Sequence, residues 1–335
     1  MYEPKHYFDQ LQKNAYRRGY DPPQEQILLS IQGQNIGSMQ NYIIISGLPK
    51  SGKSTFTTSI VATGLNTFNI WGMKLQCLPD RPNICYIDTE SSEFDYYKHM
   101  ARIKGIANLH ELPLFFDSFC LRKEEPESIK NMVTAYLSFT PNCSIIVIDG
   151  LLDICINYND EIECRKVVTW LKEICTINNI LLIGILHTGK NEGKTLGHLG
   201  SNTDRWAQST LSVKKTDTGT FILEPKFLRS SAGFKPIEIE YSTEQNQFVE
   251  ISNNENFADK KNKHFTDYTT DQHDLICNNI FNIAAVFTYE NLVYQISVID
   301  KRGINQSKTY LKFLKEKNYI NKDKNNMYYD IRKPF

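Results

Sequence analysis

The sequence predicts an α/β protein: a three-layer sandwich around a mostly parallel sheet with an antiparallel extension, followed by a small helical unit that closes with a hairpin. Three observations carry this expectation. Short apolar runs alternate with longer amphipathic ones from about residue 28 to 252. The run LLIGILH is apolar at nearly every position, as a strand covered on both faces must be. The polar, aperiodic stretch SNNENFADKKNKH (252–264) then separates this region from further helix-like segments. Strand-helix alternation implies right-handed crossovers. The expected organisation is an N-terminal helical segment (1–27), a core domain (28–252), a linker (253–268) and a C-terminal unit (269–335).

In chain order, strands are expected at Tyr42–Ser46, Ile84–Asp88, Leu114–Phe119, Ser144–Asp149 and Leu181–His187. Helices are expected at Gly52–Gly64, Glu93–Lys104, Glu127–Ser138 and Glu161–Asn178. In the last helix, apolar residues at 162, 167, 168, 171, 174 and 177 recur at three- and four-residue steps and predict one buried face. After Asn202 the texture becomes β-rich. Segments 210–215, 221–229, 235–242 and 247–252 are separated by turn-forming Asp-Thr-Gly, Ser-Ala-Gly and Glu-Gln-Asn, which predicts the antiparallel extension. Beyond the linker come helix-like stretches at 271–285, 289–298 and 305–317, then YINKDKNNMYYDI as a hairpin.

Composition narrows the function classes. With 335 residues, 41% hydrophobic and 23% charged, wholesale disorder and fibrous repeats are excluded. No apolar run approaches the roughly 20 residues that cross a bilayer, and MYEPKHYFDQLQKN lacks a secretory pattern, so a cytoplasmic protein with no membrane association is expected. The eight cysteines have no C-x-x-C pair and read as buried free thiols rather than a zinc cage or disulfide framework. Net charge is zero, yet residues 301–335 hold ten Lys/Arg against three acids. That tail is +7, the remainder −7, and a cationic appendage of this kind suits a polyanion.

The most specific motif is YIIISGLPKSGKST, which fits G-x-x-x-x-G-K-[ST] between an expected strand and helix. The loop runs Gly47, Leu48, Pro49, Lys50, Ser51, Gly52, Lys53, Ser54 and Thr55; its backbone N–H groups, absent only at Pro49, can surround phosphate oxygens, helped by the positive end of the helix. Lys53 would neutralise β/γ-phosphate charge, and the Ser54 hydroxyl would ligate Mg²⁺. Asp149, ending the strand CSIIVIDG, is the second expected metal ligand; Asp153 lies four residues further on. Glu90, ending ICYIDTE, is the candidate that polarises the attacking water, with a place in the next helix's first turn as the competing reading. His187 ends LLIGILH and is placed to sense the γ-phosphate and pass its presence to the glycine- and lysine-rich loop TGKNEGKTLGHLGSN.

Together these residues resemble the RecA-like ATPases, in particular the plasmid RepA-type hexameric helicases and their relatives on mobile elements. The resemblance spans about 28–245 and is carried by GLPKSGKST, IDTE, IIVIDG, ILHTGK and LGHLGSNTDRWAQSTLSVKK. It implies a RecA-like αβα sandwich, ATP and Mg²⁺ as cofactors, and Glu90 as catalytic base. It also implies His187 as the coupling residue, and a ring, hexameric in the family pattern, in which one subunit's cation reaches its neighbour's nucleotide. By analogy that cation comes from EPKFLRSS, as Lys226 or Arg229, with Arg205 as a rival.

The C-terminal segment resembles a winged helix-turn-helix. TYENLVYQIS would support, INQSKTYLKFLKEKN would recognise, and YINKDKNNMYYDI would form the wing. Positions 304, 311, 314 and 320 are expected to face inward, leaving Asn305, Gln306, Ser307, Lys308 and Lys312 toward solvent for a major groove, with Lys322 and Lys324 for backbone phosphates. The reading is therefore an Mg²⁺-dependent ATPase coupled to DNA, single-stranded at the core loops and duplex at the winged helix, acting in replication or mobile-element transfer with proteins of those processes. An ATP-gated DNA-binding regulator and a helicase-loader or recombination-mediator ATPase remain as alternatives.

Overall fold

The computed structural model describes residues 4–16, 21, 24–66, 69–189, 197–243, 247–251, 264–281, 286–300, 303–324 and 326–332. The chain divides into two compact units, Met1–Ile251 and Ser252–Phe335. Unit 1 begins with helix α1 (Pro4–Lys13) and a hairpin of β1 (Ile27–Ile31) and β2 (Gln34–Ser38). Then follow β3 (Asn41–Gly47), α2 (Lys53–Leu65), β4 (Met73–Leu75), β5 (Asn83–Asp88), α3 (Glu93–Ile106), β6 (Phe116–Cys120) and α4 (Pro126–Phe139). The second half runs β7 (Cys143–Asp149), α5 (Glu161–Asn178), β8 (Leu181–His187), α6 (Gly197–Trp206) and the strands β9 (Ser209–Lys215), β10 (Phe221–Leu228), β11 (Ile237–Ser242) and β12 (Gln247–Glu250).

The main sheet has the order β12-β11-β10-β9-β3-β8-β7-β5-β6. Strands β9, β3, β8, β7, β5 and β6 are mutually parallel, and β10, β11 and β12 continue antiparallel. Side chains alternate across the sheet. Ile43 and Ile45 of β3 pack with Phe56 and Ile60 of α2 and Ile103 of α3, while Tyr42 and Ile44 pack with Val133 of α4 and Leu171 of α5. Both faces are covered, which is why these strands read as unbroken apolar runs. A small sheet β2-β1-β4 adds Leu29, Ile31, Ile36 and Met73 to the first of these cores. This is the α/β class with a mostly parallel sheet and an antiparallel extension that the sequence predicts.

Several local expectations are corrected. Strand β6 starts at Phe116, and Leu114 is fully exposed, because a turn from Pro113 O to Phe116 N occupies the residues before it. Helix α5 buries 164, 167, 168, 171, 174 and 175, whereas Ile162 and Ile177 are 70% and 78% exposed. At about 100° per residue, both fall on the far side of that stripe. Residues 197–202, expected as the end of the loop 188–202, instead begin α6, which buries Leu199, Gly200 and Thr203; 190–196 lie outside the described residues. Cys120, at the end of edge strand β6, is exposed and Cys77 half-buried, while the other cysteines are buried as expected.

One side chain pins the amino ends of the strands. Arg81 donates to Pro141 O at 3.1 Å, Asn178 O and Asn179 O at 2.7 Å each, and Cys143 O. Replacing it removes several charge-assisted bonds at once and leaves carbonyls without donors. Arg81→Ala is expected to lower unfolding stability by about 2–4 kcal/mol in chemical denaturation.

Unit 2 contains α7 (Thr270–Phe281), β13 (Val286–Phe287), α8 (Tyr289–Ile299), α9 (Ile304–Glu316), β14 (Ile320–Lys322) and β15 (Tyr328–Asp330). The strands form one antiparallel sheet, β13-β15-β14, and Phe265, Ile296, Tyr310, Leu311 and Leu314 fill a core of their own. No described helix is long and apolar enough to cross a membrane.

Candidate functional site

The parallel strands end at one level. Gly47 lies in register with His187, and Asp149 pairs with both Asp88 and Ile185. Consecutive crossovers leave β3 and β8 side by side although their helices cover opposite faces, so a crevice opens at these carboxyl ends, where α/β sheets bind ligands. The crevice is a cavity of about 530 Å³ lined by Lys50–Thr55, Glu90, Asp149 and His187, together with Phe221 and Arg122. Lys53, Glu90 and Asp149 thus open into one cavity.

The loop from β3 to α2 is held by close backbone approaches. A Cβ on Gly47 would lie 2.3 Å from Val213 O and 2.6 Å from Ser51 Oγ, so Gly47→Ala is expected to displace the loop or β9 and lower the denaturation midpoint by the equivalent of about 1–3 kcal/mol. Gly52 adopts φ +95° and has the Phe221 ring where a Cβ would sit. Ser51 Oγ is buried and has no hydrogen-bond partner among the described residues. A buried hydroxyl without a partner in the loop that lines the cavity fits a phosphate oxygen. Ser54 and Asp149 offer the hard oxygen donors that magnesium takes.

Lys53 Nζ donates to Gly47 O at 3.0 Å and Leu48 O at 2.8 Å and lies 3.1 Å from His187 Nδ1. Burial brings its pKa down to about 8, with Glu90 and Asp149 acting in the opposite direction. His187 Nε2 meets the Glu90 carboxylate at 2.9 and 3.0 Å. An ammonium on Nδ1 and a carboxylate on Nε2 assign the proton of a neutral imidazole to Nε2. The His187 hydrogen bond holds the Glu90 carboxyl below its ordinary value.

Asp149 is 5% exposed and accepts from the Tyr86 hydroxyl at 2.6 Å. Burial pushes its carboxyl up to about 6. Asp88 is buried beside it and accepts from the backbone N–H of Glu90 at 3.1 Å and of Ser91 at 2.7 Å, which fixes the turn presenting Glu90. Burial acts against the Asp88 anion, but His99 and these amides outweigh it and lower its pKa. Asp88, His99 and Asp149 bring one potential ligand atom each within 4.8 Å of one another. Asp153 is bonded by Thr89 Oγ1 at 2.9 Å and does not line the cavity.

The expected trans-acting cations sit elsewhere. Lys226 is ion-paired to Asp204 at 2.8 Å, and Arg229 donates to Arg205 O. Phe227 and Leu228 lie level with Thr210 and Ser209, opposite Ile44 and Ile43, so Lys226 and Arg229 stand well below the Gly47 end of β3. Arg205, exposed on α6, is likewise absent from the cavity lining.

In unit 2, Asn305, Gln306, Lys308, Lys312 and Lys324 are exposed. Lys312 approaches Glu316 at 3.9 Å, and Lys322, half-buried, donates to Asn326 Oδ1 at 3.2 Å. Ser307 is a correction: it is fully buried, because it lies three and four residues before Tyr310 and Leu311 on the helix stripe that faces the core, and its hydroxyl donates to Gly303 O at 3.2 Å. Ile304, expected inside, is 47% exposed because it opens the helix beyond that stripe.

Sequence reasoning missed Asp88, His99, Phe221 and Arg122. Asp88 stood in the IDTE strand end already singled out; the others had no local signal.

Residues 31–193 match the family described as AAA domain, which assigns this stretch to the P-loop ATPases. No curated protein matches the chain. Among solved structures, the chain is similar to the RadB recombinase at 15% identity and TM-score 0.44, covering 64% of this chain and 91% of that one. It is similar to a KaiC-like protein from the hyperthermophilic archaeon Pyrococcus horikoshii OT3 at 14% identity and TM-score 0.44, covering 64% and 90%.

Proposed function

We propose, from the P-loop ATPase domain that residues 31–193 contribute, that this protein is an Mg²⁺-dependent ATPase that assembles as a hexameric ring and couples turnover to DNA. The observation that carries the proposal is the single cavity into which the phosphate loop, Glu90, Asp149 and His187 all open. The loop amides and Lys53 bind the β- and γ-phosphates. Ser54 and Asp149 would hold magnesium, which would supply charge neutralisation at the phosphates. Glu90 accepts the proton of the attacking water.

The Lys53–His187–Glu90 chain gives this chemistry a switch. While Lys53 is held by Gly47 O, Leu48 O and His187, the catalytic carboxylate is tied to the imidazole. A phosphate oxygen that draws Lys53 away takes the donor from His187 Nδ1, and the imidazole can then turn and release Glu90 toward water. His187, the last residue of β8, is proposed to pass nucleotide state to the segment that follows it in the sequence and contacts single-stranded DNA. Lys226, Arg229 and Arg205 are the proposed cations that reach a neighbouring subunit's nucleotide.

ATP turnover measured with and without single-stranded DNA, on a sample whose mass is followed by light scattering, tests this reading. The expected result is Mg²⁺-dependent turnover that rises with DNA and with assembly. Sequence-specific duplex binding modulated by ATP with negligible hydrolysis would replace it by a nucleotide-gated DNA switch.

Unit 2 is proposed to hold duplex DNA through Asn305, Gln306, Lys308, Lys312, Lys322 and Lys324. Neutralising the four lysines together is expected to flatten the salt dependence of duplex binding, by up to about 0.9 in log–log slope for each DNA phosphate no longer neutralised, with basal turnover unchanged. An unchanged slope would assign this surface to protein partners.

A further inference from the structure

We propose that a second cavity in unit 1 is a binding site for a flat aromatic ring that carries one carboxylate or phosphate group. The cavity measures about 540 Å³, within the range of small-ligand pockets, and shares no lining residue with the triphosphate cavity. Its wall combines the rings of Trp71, Tyr241 and Phe248 with Arg102 and Ser59.

Trp71 is the first sign that the cavity is built. Ile70 and Met73 exchange hydrogen bonds at 3.1 and 2.7 Å across a two-residue turn, and Trp71 within it has φ +50°. Such a turn favours Asn, Asp or Gly at this place, and a bulky aromatic residue held in the left-handed region is an outlier. Its indole meets Phe56 edge-on at 5.9 Å and lines the cavity. Tyr241 and Phe248, also edge-to-face at 5.4 Å, supply further π surface from β11 and β12.

Two polar groups await a partner. Arg102 of α3 is half-buried; among the described residues it has no carboxylate within ion-pair distance and its side-chain hydrogen bonding is a 3.5 Å contact to Thr55 Oγ1. Ser59, in the middle of α2, is 0% exposed and its hydroxyl has no partner among the described residues. A helical serine in an apolar setting ordinarily bonds back to the preceding turn. A planar guanidinium binds a carboxylate or phosphate in a fork, aromatic rings accept a flat ring, and the hydroxyl adds one directional bond. One anionic group matches the single cation.

Isothermal titration calorimetry of the full chain with indole-3-carboxylate and with adenosine 5′-monophosphate, each with and without saturating Mg·ADP, tests the site. Saturable binding of at least one probe is expected, undisplaced by Mg·ADP and weakened at least about tenfold by Arg102→Gln. Trp71→Asn suits the turn backbone, which offsets part of the lost indole packing, and should fold yet lose affinity to a similar extent, with a thermal melt of the same sample reporting the fold. Binding of the indole carboxylate alone identifies a free aromatic acid as the source, and binding of the nucleotide alone identifies a nucleoside phosphate. The proposal is overturned if neither probe binds, if affinity survives both substitutions, or if Mg·ADP displaces the probe. A chain without ATPase activity would leave the probe and substitution results intact, so this inference and the proposed function fail separately.

Discussion

Lys53→Ala is expected to abolish measurable nucleotide binding. In the structure Lys53 Nζ reaches Gly47 O, Leu48 O and His187, at the mouth of the 47–55 loop. Its removal deletes one of the two ammonium groups, with Lys50, that line the cavity among the described residues, and with it the charge-assisted bonds proposed to the β- and γ-phosphates. At about 1.5–3 kcal/mol for a hydrogen bond to a charged group, two such bonds amount to a loss of roughly a hundredfold or more in affinity. The fold should tolerate the change. Burial already lowers the Lys53 pKa, so deleting the cation relieves a desolvation cost while two loop carbonyls lose a donor. Titration with a fluorescent ATP analogue, beside a thermal melt of the same sample, checks both statements; near-native affinity in a folded Lys53→Ala protein would remove Lys53 from the site.

Glu90→Gln is expected to separate binding from turnover. The Glu90 carboxylate lies at the rim, 51% exposed in its side chain, and is oriented by His187 and by the turn that Asp88 fixes. The amide keeps the shape and can still hydrogen-bond His187, but it cannot accept a proton from water. General-base removal costs about 10²–10⁴ in rate, so turnover should fall by that factor while nucleotide affinity stays within about threefold of the parent. Equal turnover would leave Glu90 as a helix-start carboxylate only.

How much of this was legible depended on distance along the chain. The unbroken apolar runs at 43–45, 145–148 and 181–186 announced a doubly covered sheet, because residues buried on both faces leave no polar alternation. Lys53, Glu90 and Asp149 were readable because each ends or follows such a strand, and the parallel register brings strand ends together.

Other features lacked a local signature. The β1–β2 hairpin turns through Gln32, at φ +50°, where no Asn or Asp marks it. Helix α6 begins on Gly197 and includes Gly200, residues that argue against a helix until the burial of Leu199 and Thr203 outweighs propensity. His99 reaches Asp88 only because α3 returns beside β5, and Phe221 meets Gly52 from a strand far along the chain. Ser307 misled because a serine between solvent-facing residues looks polar, although its spacing to Tyr310 and Leu311 places it inside.

The arrangement of one triphosphate among three strand ends is tested most directly by a crystal structure of the protein grown with Mn²⁺ and a non-hydrolysable ATP analogue, using anomalous scattering to locate the metal. The account requires the phosphates on the 47–55 loop, manganese between Ser54 and Asp149, Lys53 drawn off the Gly47 and Leu48 carbonyls, and Glu90 facing the γ-phosphate. Nucleotide bound outside this cavity, or metal away from both Ser54 and Asp149, would contradict it.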